Sequence, residues 1–537
     1  MKNSNASPAG SPEEQVVPPA EPMSIWFVSP ASSFHESCPV GHGRLGAMDF
    51  GGLECLRIAL NESSLWSGGP YDGNRYDAHQ CLPDVREKLF AGDISAAGEA
   101  LTASFRYADG VAGWGDINQF GCYQTLGDLT IAFDHGPAAE GYRRDLNLMK
   151  GVSHTHYRLK GVAYARDLVA SRPDEVIVLN LKADSPGALS FTASLSRRQD
   201  AAVRVDGGVF VLEGQLPFNK PGGGGQGMRY QALLGVAALG GTVTATEKGL
   251  VVKRADEVTL VISAGTSWQD AGFAALARRR LDGALEKSFD SLRDAAVADH
   301  ASYMERCRLR LPAGPNSPRP TPDRVKAQET NPDPTLAAVY FQFGRHLVVS
   351  GSRPDSPLPT NLQGIWAEEY DTPWRGDFHS NINLQMNYWP AEPANLSDCH
   401  LPLMRFIQKT AEQGTKTAKA YYNAPGWMAN HTQNPWYDTS PSCLPACIGP
   451  TCGAWMAQHI WLHYAFTQDK AFLREYYPVL RGACEFLQAV LVEHPKTHEL
   501  VIVPSNSPRP TPDRVKAQET NPDPTLAAVY FQFGRHL

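Results

Sequence analysis

The sequence predicts a multidomain β + α protein in which an N-terminal β-sandwich is followed by a helical linker and a helical domain. Three observations lead there. Short apolar or alternating runs separated by turn residues fill the chain from Ser24 to Thr266, which is the period-two pattern of strands. Near Phe273 the apolar period lengthens to that of a helix. At 537 residues the chain also exceeds one core, since single cores stop growing near about 250–300 residues.

Residues 1–22, MKNSNASPAGSPEEQVVPPAEP, carry Pro, Ser and Glu without an apolar segment. They read as a disordered tail, not a signal peptide. A cytoplasmic location follows for the chain as written, or a periplasmic or secreted one if the start codon is misassigned. The sandwich is expected over 23–272, from runs such as LRIAL, GDLTIAF, SHTHYRL, DEVIVLNL, LSFTASL, GVFVLEG and EVTLVISAG. One interruption from Asp84 to Phe105 has helical apolar spacing. The run PGGGGQG at 221–227 lacks the Lys-Ser/Thr of a phosphate loop and the spacing of a dinucleotide loop, so it reads as a flexible connection. Over 273–314 Leu281, Leu285, Phe289 and Leu292 recur at helical spacing and mark the linker. From 315 to 505 four amphipathic segments, PTLAAVYFQFGRHLVVS, LPLMRFIQKTAEQGTKTAKAYY, CGAWMAQHIWLHYAF and DKAFLREYYPVLRGACEFLQAVLVEH, are separated by loops rich in Trp, Asn and Pro.

A net charge of −7 with no local run of Lys and Arg gives no field to attract nucleic acid. No apolar run approaches the roughly 18 residues of a membrane span. Ten cysteines are too sparse for a disulfide scaffold. Cys443, Cys447 and Cys452 lack the spacing of a zinc site and read as thiols. Trp455, His459 and His463 share one helix face at i, i+4 and i+8. No Asp or Glu in that motif completes a metal set, so they read as pocket wall or as core with satisfied imidazoles. No metal and no cofactor is expected.

The most informative stretch is 359–393, PTNLQGIWAEEYDTPWRGDFHSNINLQMNYWPAEP. Trp366, Trp374 and Trp389 stand there among Asn361, Gln363, Asp377, His379, Asn381, Asn383, Gln385 and Asn387. A plain core holds fewer amides, because each unpaired buried polar group costs about 1–3 kcal/mol. A plain surface holds fewer tryptophans. Aromatic platforms beside short directional amides suit a polyhydroxylated ring, which stacks by its C–H face and hydrogen-bonds by its hydroxyls. Alternation at His379, Asn381 and Asn383 places the three on one side of an extended strand.

This stretch resembles the catalytic-domain signature of glycoside hydrolase family 95, the inverting α-L-fucosidases with some α-L-galactosidases. PVGHGRLGAMDFGG, LNESSLWSGGP, YQTLGDLTIAF and YRRDLNL match the family in order, so the resemblance runs from Met23 to about Pro508. It implies a large N-terminal super-sandwich and an (α/α)6 toroid whose loops form the sugar pocket. It also implies that Asn381 and Asn383 are catalytic, holding the attacking water, and that His379 belongs to the site; by residue type Trp366, Trp389, Trp455 and His459 join His379 as the residues expected to bind substrate. The implied partner is a fucosylated oligosaccharide or glycan.

An internal repeat alters the functional expectation. Asn316–Leu347 recurs letter for letter as Asn506–Leu537, and structural repeats of the solenoid kind diverge in their surface letters. The family continues the motif PSxSP with a Glu-Asn whose Glu is the general acid, whereas PSNSP here is followed by Arg509. The resemblance also places the Asp that activates the asparagine pair beyond Leu537, so an incomplete toroid and turnover near the uncatalysed rate are expected, as for a truncated member of the family. A non-catalytic fucoside-binding protein, a misassembled fragment, a related α-L-galactosidase and a sugar phosphorylase stand as alternatives.

Overall fold

The computed structural model describes residues 16–108, 117–137, 139–268, 270–442 and 448–505. Two antiparallel sheets make up the N-terminal half. The larger has the order β1 (Ser24–Phe27), β6 (Glu140–Asn147), β7 (Val152–Leu159), β8 (Val162–Ser171), β9 (Val176–Ala183), β16 (Glu257–Thr266), β13 (Arg229–Leu239), β12 (Val209–Gln215), β11 (Ala202–Asp206). The smaller has the order β14 (Thr242–Thr246), β15 (Gly249–Ala255), β10 (Leu189–Ser196), β5 (Gly127–Phe133), β4 (Cys55–Glu62), β3 (Leu45–Asp49), β2 (Cys38–Gly41). Leu56, Ile58, Ile131 and Phe191 of the smaller sheet share one core with Leu179, Leu181, Leu260 and Ile262 of the larger.

The strand letters say which faces are covered. In β5, GDLTIAF alternates, with Leu129, Ile131 and Phe133 buried and the residues between them more open. In β9 all of VIVLNL is buried, because that sheet is covered twice. Ile177, Leu179 and Leu181 enter the sandwich core. Val176 and Val178 instead meet Ala277, Leu281 and Leu292, from α4 (Phe273–Leu285) and α5 (Phe289–Met304). The expected linker is therefore also the outer cover of the larger sheet.

The single helix expected between Asp84 and Phe105 is two, α1 (Leu82–Ala91) and α2 (Ile94–Ser104). Gly92 ends the first with φ 87, and the Asp93 carboxylate caps the second by accepting from Ala96 N at 3.0 Å. A short α3 (Ile117–Phe120) follows. Of the expected tail, Val17 is held by its carbonyl, which accepts from Arg143 Nη1 at 2.8 Å; residues 1–15 lie outside the described residues.

The C-terminal half is helical. It contains α6 (Thr321–Ala327), α7 (Pro334–Gly351), α8 (Asn383–Tyr388), α9 (Leu401–Tyr422), α10 (Cys452–Thr467) and α11 (Lys470–Val490), the four expected helices being α7, α9, α10 and α11. Two small two-stranded sheets pair β17 (Phe378–His379) with β18 (Thr432–Gln433), and β19 (Leu491–Glu493) with β20 (Leu500–Ile502). Gly414 of α9 lies so near the following loop that a Cβ there would stand 2.4 Å from Met428 O. Trp461, Leu462, Phe466 and Tyr477 of α10 and α11 face outward.

The first copy of the repeat is seated by partners that only its own position supplies. Thr321 Oγ1 accepts from Trp26 N at 2.9 Å, and buried Arg324 pairs with Asp333 at 2.8 Å. Arg345, 1% exposed, donates to the carbonyls of Tyr303 (2.9 Å), Met304 (2.8 Å) and Cys307 (2.7 Å). It thereby closes the C-terminus of α5, whose last carbonyls have no intrahelical donors. The second copy, 506–537, lies outside the described residues. Because Arg345 already occupies these carbonyls, with Gln342 on Cys307 O at 3.0 Å and His346 Nε2 2.9 Å from Pro39 O, deleting 506–537 should leave the melting temperature unchanged, whereas Arg345→Ala should cost about 3 kcal/mol by orphaning buried carbonyls. Calorimetry of the two variants checks both outcomes.

Candidate active site

The loop from 359 to 377 is irregular backbone, and such backbone must find hydrogen-bond partners outside itself. The sandwich supplies them. Asn61 Nδ2 donates to Ala367 O at 2.9 Å while its Oδ1 accepts from Ala367 N at 3.2 Å. The Tyr123 hydroxyl donates to Ile365 O at 2.7 Å, and Tyr123 N donates to Arg375 O at 2.9 Å. Trp366 Nε1 donates to Val40 O at 3.0 Å, and its indole packs with Met48, Phe50 and Ala59.

Held this way, the loop tolerates two successive left-handed residues, Trp374 (φ 58) and Arg375 (φ 63), a conformation that costs a non-glycine residue about 1–3 kcal/mol. Further ties fix it: Thr372 Oγ1 donates to Tyr123 O at 2.9 Å and Arg375 Nη1 to Asp371 at 2.8 Å. The result is an exposed indole. Trp374 is 62% exposed, and its ring centre lies 6.0 Å from that of His379 in an edge arrangement.

His379 ends β17, opposite Thr432. The expected alternation through Asn381 and Asn383 does not continue, since only Phe378 and His379 are extended and Asn383 already opens α8. The chain turns because Ser380 N donates to His431 O at 2.7 Å and Gln385 Nε2 reaches back to Ser380 O at 2.6 Å. Asn381 is half-buried, with its amide oxygen buried and without a hydrogen-bond partner among the described residues. Asn383 is exposed at the start of the helix.

Behind His379 stands a carboxylate. Asp377 Oδ1 lies 2.8 Å from His379 Nδ1, and Oδ2 has no hydrogen-bond partner among the described residues. Burial pushes the Asp377 carboxyl up to about 6, against the lowering pull of His379. The His431 ring meets that of His379 edge-to-face at 4.7 Å. An acceptor of this kind fixes the imidazole tautomer and orientation.

Residues 288–512 match the glycosyl hydrolase family 95 catalytic domain, and residues 25–271 match the N-terminal domain of glycosyl hydrolase family 65. Alpha-L-fucosidase 2 of Arabidopsis thaliana is 31% identical over 91% of this chain and 61% of its own. A protein of Aspergillus niger assigned as an alpha-fucosidase A is 32% identical over 92% and 65%. The family 95 likeness is thus carried by residues 288–512. The chain spans under two thirds of the length of either relative. Among solved structures, a protein from the human microbiome assigned as a kojibiose phosphorylase superposes with a TM-score of 0.60 at 11% identity, covering 92% of this chain and 61% of that one. At that identity the likeness is one of fold.

Not every residue that the sequence singled out sits at this place. Trp366 is 7% exposed and serves the seam between loop and sandwich, so it offers no face to a ligand. His459, 2% exposed, is committed to His400, with its Nδ1 2.8 Å from His400 Nε2. Trp389 is 46% exposed at the end of α8, and Trp455 is half-buried in the first turn of α10. Trp374 and Asp377 were visible in the family 95 stretch without an assigned part. His431 comes from a separate loop, NHTQN, and only the β17–β18 pairing brings it to His379. Cys443 and Cys447 lie outside the described residues. Cys452 is buried, which pushes its thiol up to about 12.

The buried Asp377 fixes a pH dependence. A folded value of about 6 against an ordinary 3.8 means that the folded state holds the proton more tightly, so this group adds stability as pH falls from about 6 toward 3.8 and withdraws it as pH rises. Asp377→Asn should remove that component, worth at most about 3 kcal/mol for a two-unit shift. Denaturant midpoints of both proteins between pH 4 and 7 should therefore diverge, with the variant gaining on the wild type as pH rises.

Proposed function

We propose that the chain recognises the terminal α-L-fucosyl group of an oligosaccharide, with the site chemistry of an inverting 1,2-α-L-fucosidase, and that its turnover is limited by the residue at position 509. One observation carries the reading: a histidine oriented by a buried carboxylate stands beside an exposed tryptophan and an asparagine whose buried amide oxygen lacks a partner among the described residues. Trp374 and Trp389 present apolar faces to the sugar, and His379, Asn381 and Asn383 present polar atoms to its hydroxyls and to a water. In this reading α7, α9, α10 and α11 belong to an (α/α)6 toroid with the sugar at its loop end.

Inversion needs an acid at the leaving oxygen and a base behind the attacking water, about 6.5–9.5 Å apart. A neutral amide orients water but does not take its proton. The family's acid position falls at Arg509, outside the described residues, and a guanidinium stays charged near pH 7. Glu368 is no replacement, because it is bound to Arg57 at 2.7 Å. General acid–base assistance contributes about 10²–10⁴-fold, so its loss favours a second reading in which the chain binds fucosides without cleaving them.

With a 2′-fucosylated oligosaccharide, fucose release should stay near the uncatalysed rate while calorimetry or ligand-observed NMR detects binding. Replacing Asn381 and Asn383 together by Ala should weaken that binding roughly tenfold, about 0.5–1.5 kcal/mol for each hydrogen-bonding side chain. Absence of fucoside binding by the unaltered chain contradicts the site assignment, and rapid fucose release contradicts the limit placed on turnover.

A further inference from the structure

Away from the sugar site, three elements bring their polar side chains to one buried point. Glu392 lies in the turn after α8, His400 ends a short 3-10 turn ahead of α9, and His463 lies on α10. His400 Nδ1 and His463 Nδ1 each stand 2.7 Å from the same oxygen, Glu392 Oε1. The three side chains are 0%, 5% and 6% exposed for His400, His463 and Glu392. Their ligating atoms all fall within 4.8 Å of one another. We propose that Glu392, His400 and His463 form a buried site for a single zinc ion.

The donor set and its spacing support this. Two imidazoles and a carboxylate suit zinc, whose ligand atoms sit about 2.0–2.2 Å from the metal and hence about 3.3 Å apart in a tetrahedron. That spacing lies between the 2.7 Å contacts and the 4.8 Å limit observed, so modest opening of the cluster admits the ion. A water or Ser397 Oγ, which is 2.5 Å from Glu392 Oε2, completes four ligands.

The surroundings allow the change of tautomer that ligation requires. Without metal, both Nδ1–H groups donate to Glu392, and His400 Nε2 accepts from His459 Nδ1–H at 2.8 Å. With metal on both Nδ1 atoms, the His463 proton sits on its Nε2, and the His400 proton sits on Nε2 and donates to His459 Nδ1, whose own proton sits on Nε2. The same hydrogen bond runs in reverse, with no net change in protons, and gives His400 the outer partner that metal-bound imidazoles keep. Tyr388 stacks on His400 at 5.4 Å and 11°, so the ion would fix the far end of the helix that opens at Asn383.

The test is metal content of the full chain, refolded from denaturant with excess zinc and then dialysed. One equivalent of zinc, lost in both His463→Gln and Glu392→Gln, is the expected result, with the wild type melting at least 5 °C higher loaded than after chelation. Cobalt loading of the wild type gives a second readout that needs no variant: nitrogen and oxygen ligation in a tetrahedral field, without thiolate charge-transfer bands. No bound zinc, zinc retained in both variants, or a thiolate spectrum overturns the proposal.

Discussion

The candidate site depends on hydrogen bonds that the sandwich lends to a loop of the helical half. Asn61, 1% exposed, uses both ends of its amide on Ala367, and Tyr123 adds its hydroxyl and its backbone N–H. Without them the irregular stretch from Ile365 to Arg375 would leave buried polar backbone unpaired at about 1–3 kcal/mol per group. The left-handed pair at Trp374 and Arg375 is tolerated only because its neighbours are pinned. Thus the smaller sheet, which contributes none of the proposed sugar contacts, decides where the exposed tryptophan stands.

A second seam works by the same logic. The α4–α5 pair covers the valine face of the larger sheet, and the end of α5 is closed by Arg345 from α7. Sandwich, linker and helical half are therefore joined by buried side chains, not by a flexible hinge. This also explains why a second copy of the letters of Pro334–Leu347, most of α7, does not imply a second identical contact. Gln342, Arg345 and His346 are buried polar groups whose partners, the carbonyls of Cys307, Tyr303, Met304 and Pro39, exist once.

The broad architecture was legible because it rests on periodicity. β5 alternates, β9 does not, and α9 buries one face; each follows from which sides are covered. The site was legible only in part. The amide-rich, tryptophan-rich stretch pointed to His379, Asn381 and Asn383, but local alternation misjudged their geometry, because a strand pairing beside His431 and a helix start at Asn383 end the extended run after two residues. Trp366 and His459 looked like ligand contacts by residue type, and their indole and imidazole nitrogens are spent on Val40 and His400. His431 and Glu392 reach their partners across 52 and 71 positions (431 − 379 and 463 − 392). Their partnership is set by tertiary packing, which no local pattern records.

The central claim, that the sandwich positions the proposed sugar site through its grip on the loop, is tested most directly by Asn61→Ala, followed by hydrogen exchange over 365–377 together with fucoside affinity. The account predicts faster exchange across that loop and weaker binding, while protection in β5, β9 and β16 persists. Unchanged loop protection with unchanged affinity would contradict it.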